Sequence, residues 1–238
     1  MCIRDSIKIM PNSSDNLNKS LEIPIENCKS KEVKFKSHYM RIPTYIFFLL
    51  LNMQCALTLS SYTPLNNTLS RFYKLKTSTI VLSSTLFLIG NTVSLFVVYP
   101  INKNWGVSTS VRIGLFFNIL GAGLRVFINK SFIFVLFGQF LLGVATSCMY
   151  NNQMEFNFNW FNPKSRAIFN SILTLSVYIG GGLGNTVPII FVNEASLTTS
   201  TEAHSAIYEY SLKMFIFICV LSLVNLLIFR GGPPKGYG

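Results

Sequence analysis

FIFVLFGQFLLGVATSCMY, residues 132–150, carries no charge over nineteen positions. An α-helix of that length rises about 28 Å, close to the roughly 30 Å hydrocarbon thickness of a bilayer. Five further stretches read the same way, at 45–62, 78–99, 107–128, 168–192 and 211–229, and none of the six contains Asp or Glu. Inside a membrane the backbone must satisfy its own hydrogen bonds, so such runs are helices rather than loops or open strands. The expected fold is therefore all-α: a polytopic membrane protein with six transmembrane helices.

The rest of the chain is organised around these stretches. Residues 1–43 are polar, rich in Ser, Asn and Lys and without helical periodicity, and are expected to be a disordered cytoplasmic tail. Residues 44–230 form the expected six-helix bundle. Residues 231–238, Gly-Gly-Pro-Pro-Lys-Gly-Tyr-Gly, read as the start of a cytoplasmic linker. Short turns are expected at 101–106 and 129–131, and longer loops at 63–77, 151–167 and 193–210.

Half of the residues are hydrophobic and 12% are charged, about half the charge of a soluble domain. The net charge of +11 would suggest nucleic acid in a soluble protein. Here the basic residues flank apolar runs, where they set topology and meet anionic lipid, so no nucleic-acid partner is expected. With the N-terminus inside, fourteen of the twenty Lys and Arg residues fall on cytoplasmic segments. The six outside are Arg71, Lys74, Lys76, Arg125, Lys130 and Lys213. This bias places both termini in the cytoplasm, in the plasma membrane or an endomembrane. Asn66-Asn67-Thr68 and Asn129-Lys130-Ser131 then lie on outer loops, making Asn66 and Asn129 candidate glycosylation sites.

The five cysteines are scattered, with no CxxC or Cys/His pairing, so neither a disulfide framework nor a metal site is indicated. Between Val33 and Met154 there is no acid, Glu194, Glu202 and Glu209 fall on the expected loop 193–210, and both histidines lie outside the six stretches. Proton relays and hydrolytic centres in membranes need such groups. The chain reads as no enzyme, with no cofactor and no proton coupling through these helices.

Polar side chains in spans tend to face the protein interior. Gln54, Thr58 and Ser61 share one helical face with Tyr62 beside it, and Gln139, Gly143, Thr146 and Tyr150 share another. Ser84, Asn91 and Ser94 make a third stripe. The candidate substrate-binding residues are Thr58, Tyr62, Asn91, Gln139, Thr146 and Tyr150; the same spacing also suits helix-to-helix hydrogen bonds with no ligand. Gly180-Gly181-Gly182, Gly184 and Pro188 suit either a pliable helix or tight static packing. Lys103, Gly106, Gly181 and Pro188 are the candidate gating positions.

Six spans, a cytoplasmic start, a short turn between the second and third and a Pro-rich exit resemble the N-terminal half of a Major Facilitator Superfamily transporter. More narrowly, the stretch 41–229 resembles the feline leukaemia virus subgroup C receptor family. The residues carrying this are Arg71-Phe72-Tyr73-Lys74-Leu75, Gly114 with Asn118, Gly121 and Arg125, Leu136-Phe137-Gly138-Gln139, and Trp160-Phe161-Asn162-Pro163-Lys164-Ser165-Arg166-Ala167. The resemblance implies twelve spans in two halves and transport of a small organic solute, choline-like or haem-related. This chain would then be a fragment whose partners are the lipid bilayer, a small-molecule substrate, and a missing C-terminal six-helix half or a second copy. A solute-binding Trp of that family falls at Leu59 and a Gln at Thr146. The superfamily's acidic position between spans two and three falls at Lys103. The rival expectation is a receptor-like membrane scaffold that kept the fold and does not transport.

Overall fold

The computed structural model describes residues 39–192, 197 and 199–229. The expected tail up to residue 38 and the linker over 231–238 lie outside the described residues. Within them the chain is helical: α1 (Arg41–Ser60), α2 (Asn66–Phe72), α3 (Thr77–Arg125), α4 (Phe132–Tyr150), α5 (Gln153–Trp160), α6 (Pro163–Phe191) and α7 (Ser200–Ile228). Short 3₁₀ turns at Thr63–Leu65 and Val126–Asn129 close the outgoing ends of α1 and α3.

Local chemistry sets the starts. Ser131 caps α4 by accepting from the Ile133 amide at 3.3 Å, satisfying one of the four amides that every helix start leaves open. Pro163 opens α6, where its missing N–H is no loss. Thr199 and Glu202 form a reciprocal capping box that begins α7 at Ser200. That start corrects the expectation of a loop over 193–210: Glu202, His204 and Glu209 sit on the first turns of α7, and Glu209 pairs with Lys213 at 2.7 Å. The loops expected at 63–77 and 151–167 likewise contain α2 and α5.

Among the described residues five helices are long and apolar enough to cross a membrane, not the six expected. The reason lies at Gly106. The stretches 78–99 and 107–128 belong to one helical run, α3, whose interior is interrupted at Gly106 with φ 79° and ψ 166°, a conformation essentially reserved for glycine. A straight helix of 49 residues would extend about 73 Å. Instead, Asn152 at the end of α4 accepts from Asn102 at 2.6 Å and donates to Ser110 at 3.0 Å, so both sides of Gly106 meet one side chain. Further along, Gly90 abuts the Phe140 carbonyl and Gly121 abuts that of Gly138. The chain therefore doubles back at Gly106, and both arms of α3 pack along α4. The turn expected at 101–106 is compressed into a single residue.

Close helix approach depends on missing side chains. A Cβ on Gly143 would stand 2.0 Å from the Phe87 carbonyl, and one on Gly180 would stand 2.1 Å from that of Met53. These contacts lock α4 to the first arm of α3 and α6 to α1. α6 continues as one α-helix through Gly180–Gly184, with Pro188 near its end; Gly180 and Gly184 pack on α1, while Gly181 and Gly182 face open space.

The interior has three layers. One apolar core joins Tyr45, Phe48, Leu51, Val111, Phe156 and Phe229 near the start of α1. Another joins Tyr62, Leu69, Phe87, Ile128, Ile207 and Tyr210 at the opposite end. Between residues of the two cores in sequence lie buried Gln54 and Thr58 on α1, Asn118 on α3 and Ser222 on α7, while Gln139 on α4 lies among residues of the second core. A polar belt therefore crosses the middle of the bundle.

Candidate functional site

The belt is a set of amide clasps. Asn118 Nδ2 donates to Gln54 Oε1 at 2.9 Å and to Ser222 Oγ at 3.0 Å, tying α1, α3 and α7. Gln139 Nε2 donates to the Thr58 carbonyl at 3.3 Å, tying α4 to α1. Its Oε1 is buried without a partner, an expensive state in a low-dielectric interior.

The other candidate residues are placed as follows. Thr58 and Thr146 are buried and donate to carbonyls of their own helices, Cys55 and Leu142, both at 2.8 Å. Such back-bonding satisfies a hydroxyl without a ligand. Tyr150 is half-buried and reaches the Asn52 carbonyl at 3.5 Å. Asn91 is half-buried on α3, its backbone amide facing Gly143. Tyr62 is turned away from these and joins Arg125. The structure thus brings together Thr58 and Gln139, and leaves Tyr62, Asn91 and Tyr150 apart from them.

Arg125, counted on the outer side in the charge bias, is 3% exposed at the last position of α3. Its Nη2 donates to Ser61 Oγ at 2.6 Å and its Nε to the Tyr62 hydroxyl at 3.3 Å. The guanidinium lies 4.5 Å from the centre of the Tyr62 ring, a cation–π geometry. The Tyr62 hydroxyl is also 3.4 Å from Ser211 Oγ on α7. A basic residue at the polar end of an apolar run normally snorkels outward, so this burial is unusual. The neighbouring Ser61-Tyr62 pair was the signal pointing inward.

At the far end of α3's first arm a cavity of about 750 Å³ is lined by Leu95, Val98, Tyr99, Asn102, Lys103, Asn151 and Glu155. Lys103 and Glu155 stand on its walls and are both exposed. Gly106, four residues beyond Asn102, is the break that lets this wall turn. Of the gating candidates, Lys103 lines this cavity, Gly106 is the reversal point, and Gly181 accepts from Ser60 through its carbonyl at 3.3 Å. Pro188 is buried near the end of α6. Glu155 was not among the candidates, because in sequence it lies in an apparent loop rather than in a stripe.

At the other end Tyr73 donates to Asn129 Oδ1 and packs on His204 with ring centres 4.2 Å apart. Burial, with a smaller contribution from nearby Tyr62, pushes the Tyr73 phenol above its ordinary range and keeps it a donor. Asn129 is exposed, but its amide nitrogen is engaged by the His204 carbonyl at 3.2 Å. Asn66 is half-buried at the start of α2.

Loop corners are fixed with equal economy. Arg166 donates to the carbonyls of Phe161 and Phe158 at 2.9 and 3.0 Å and lies over the Phe158 ring. Gln153 and Asn157 both reach Asn170 on α6. Among the described residues no group of three His, Cys, Asp or Glu side chains is gathered for a metal.

No curated protein matches the chain. The family model of the Major Facilitator Superfamily matches residues 43–237, which takes in the membrane-length helices described above except the first two residues of α1. This polytopic, all-α membrane protein belongs to the Major Facilitator Superfamily.

Proposed function

We propose that the protein moves a small organic solute across a membrane by alternating access. The observation that carries this reading is the family match over 43–237, on a bundle that buries polar groups between its helices. In such transporters a site near the midplane is exposed to each side in turn as two repeats rock against each other. A second six-helix unit, whether in the same polypeptide or from another copy, supplies the opposing wall.

The solute path in this reading runs from the mid-bundle pair Thr58–Gln139 toward the cavity bounded by Tyr99, Lys103 and Glu155, with Thr146, Tyr150 and Asn91 along it. Lys103 and Glu155, of opposite charge and facing one cavity, are the gate elements, and Gly106 lets the Lys103 wall move. Resemblance to the feline leukaemia virus subgroup C receptor family makes choline-like and haem-related compounds the first solutes to test. The termini are taken to share the cytoplasmic side.

Reconstitution into liposomes tests the proposal. Labelled choline or a haem analogue should accumulate saturably above protein-free vesicles, and Lys103→Glu should slow entry. Absence of saturable uptake for each solute class, from protein of verified fold, would favour the scaffold reading. One observation supports that rival: Thr58 and Thr146 already spend their hydroxyls on their own helices.

A further inference from the structure

We propose that Arg125 and Tyr210 form an anion-accepting site buried between α1, α3 and α7. The starting point is a charge without a countercharge. Arg125 is 3% exposed, and among the described residues no carboxylate bonds it. Isolated buried cations are strongly disfavoured unless paired or richly hydrogen-bonded. The carbonyls at the end of α3 offset part of the charge, about half an elementary charge at most.

The hydrogen bonds of the cluster are unevenly filled. Nη2 and Nε of Arg125 have partners in Ser61 and Tyr62, while Nη1 is buried with none. The hydroxyl of Tyr210, 1% exposed, is also buried with none. Tyr210 precedes Ser211, whose Oγ lies 3.4 Å from the Tyr62 hydroxyl that Arg125 Nε bonds. Arg and Tyr both present donors here. Two open donors next to an uncompensated cation call for an acceptor that carries negative charge. An anion satisfies both demands together; a water molecule would fill the donors and leave the charge.

The ligand chemistry is therefore a small monoanion, either a free inorganic ion such as chloride or the carboxylate of an organic acid. Tyr62 covers the guanidinium with its ring face and Gly138 packs on the Arg125 stem, so a bulky group is shut out on both sides. The site stands apart from the cavity at Lys103 and Glu155, and it does not rest on the transport proposal.

The test uses the full chain in detergent and reads the thermal unfolding midpoint at constant ionic strength. Chloride and formate are each titrated against gluconate, which is too bulky to enter. The expected result is a saturable rise with chloride, formate or both; the anion with the lower half-saturation identifies the source. Arg125→Gln should abolish the response. Tyr210→Phe should raise the half-saturating concentration about tenfold, the usual worth of one hydrogen bond to a charged group. Equal midpoints in gluconate, chloride and formate would overturn the proposal, as would an undiminished response in Arg125→Gln. If Arg125→Gln does not fold, Tyr210→Phe decides: an unchanged half-saturation overturns the site.

Discussion

Gln54 on α1 and Asn118 on α3 face each other amide to amide at 2.9 Å, sixty-four residues apart in sequence and wholly buried. Two amides so placed satisfy each other where water is absent, and Ser222 extends the clasp to α7 at 3.0 Å. The belt these groups form holds three helices in register between two apolar cores.

Breaking that clasp from one side should be worse than removing it. Asn118→Leu strands Gln54 and should destabilise the bundle by about 1–3 kcal/mol. The pair Gln54→Leu with Asn118→Leu should lose less than the sum of the single changes, by roughly 0.6–2 kcal/mol of coupling. Denaturant titration of the four proteins in mixed micelles measures the cycle. Strict additivity would mean that the two amides do not interact.

The glycines of the helix contacts should divide sharply. Gly143→Ala places a methyl 2.0 Å from the Phe87 carbonyl, a backbone atom that cannot step aside, and should cost about 3 kcal/mol or more. At Gly182 the added methyl meets open space, so Gly182→Ala should leave the midpoint unchanged or slightly raised. Comparable losses at both positions would refute the packing account.

Gly106 carries the reversal of α3 through a backbone shape that L-residues avoid. Gly106→Ala should destabilise the protein by about 1–3 kcal/mol. It should also raise protease sensitivity in the segment between Asn102 and Ser110, whose side chains Asn152 holds together. A midpoint equal to wild type would show that the turn tolerates another conformation.

How much of this was visible in the chain varies by element. The stretch 132–150 was bounded to the residue, because an uncharged run ending at Ser131 and Asn151 has sharp chemical edges. The start of α7 is marked only faintly: Thr199 and Glu202 are three apart, the spacing of a capping box, but they fall in a polar segment that reads as loop. Polar stripes on α1 and α4 were visible as faces. Their partners were not, since the Gln54–Asn118 and Ser61–Arg125 pairs are set by tertiary packing rather than by spacing. The burial of Arg125 was hidden for the same reason. The doubling of α3 was legible as two apolar stretches flanking a short turn at 101–106; that helix resumes directly after Gly106 was not, because Pro100 and Gly106 mark a break without fixing its length.

Gln139 offers the sharpest separation of structure from function. Its Nε2 makes one long bond, 3.3 Å to the Thr58 carbonyl, while its Oε1 is buried and unsatisfied. Replacing it by Leu removes a bond worth about 0.5–1.5 kcal/mol and an orphan acceptor that costs about 1–3 kcal/mol, so the two changes nearly cancel. Gln139→Leu should therefore fold normally, with a midpoint within about 4 °C of wild type. If the orphan oxygen is held ready for a solute donor, uptake by the same protein should fall at least about tenfold, the worth of one good hydrogen bond. Gln139→Glu, which keeps the acceptor and adds charge, should change solute preference rather than abolish uptake. A collapsed midpoint in Gln139→Leu would make this residue helix glue. Unaltered uptake with unaltered stability would place the solute path away from the Thr58–Gln139 pair.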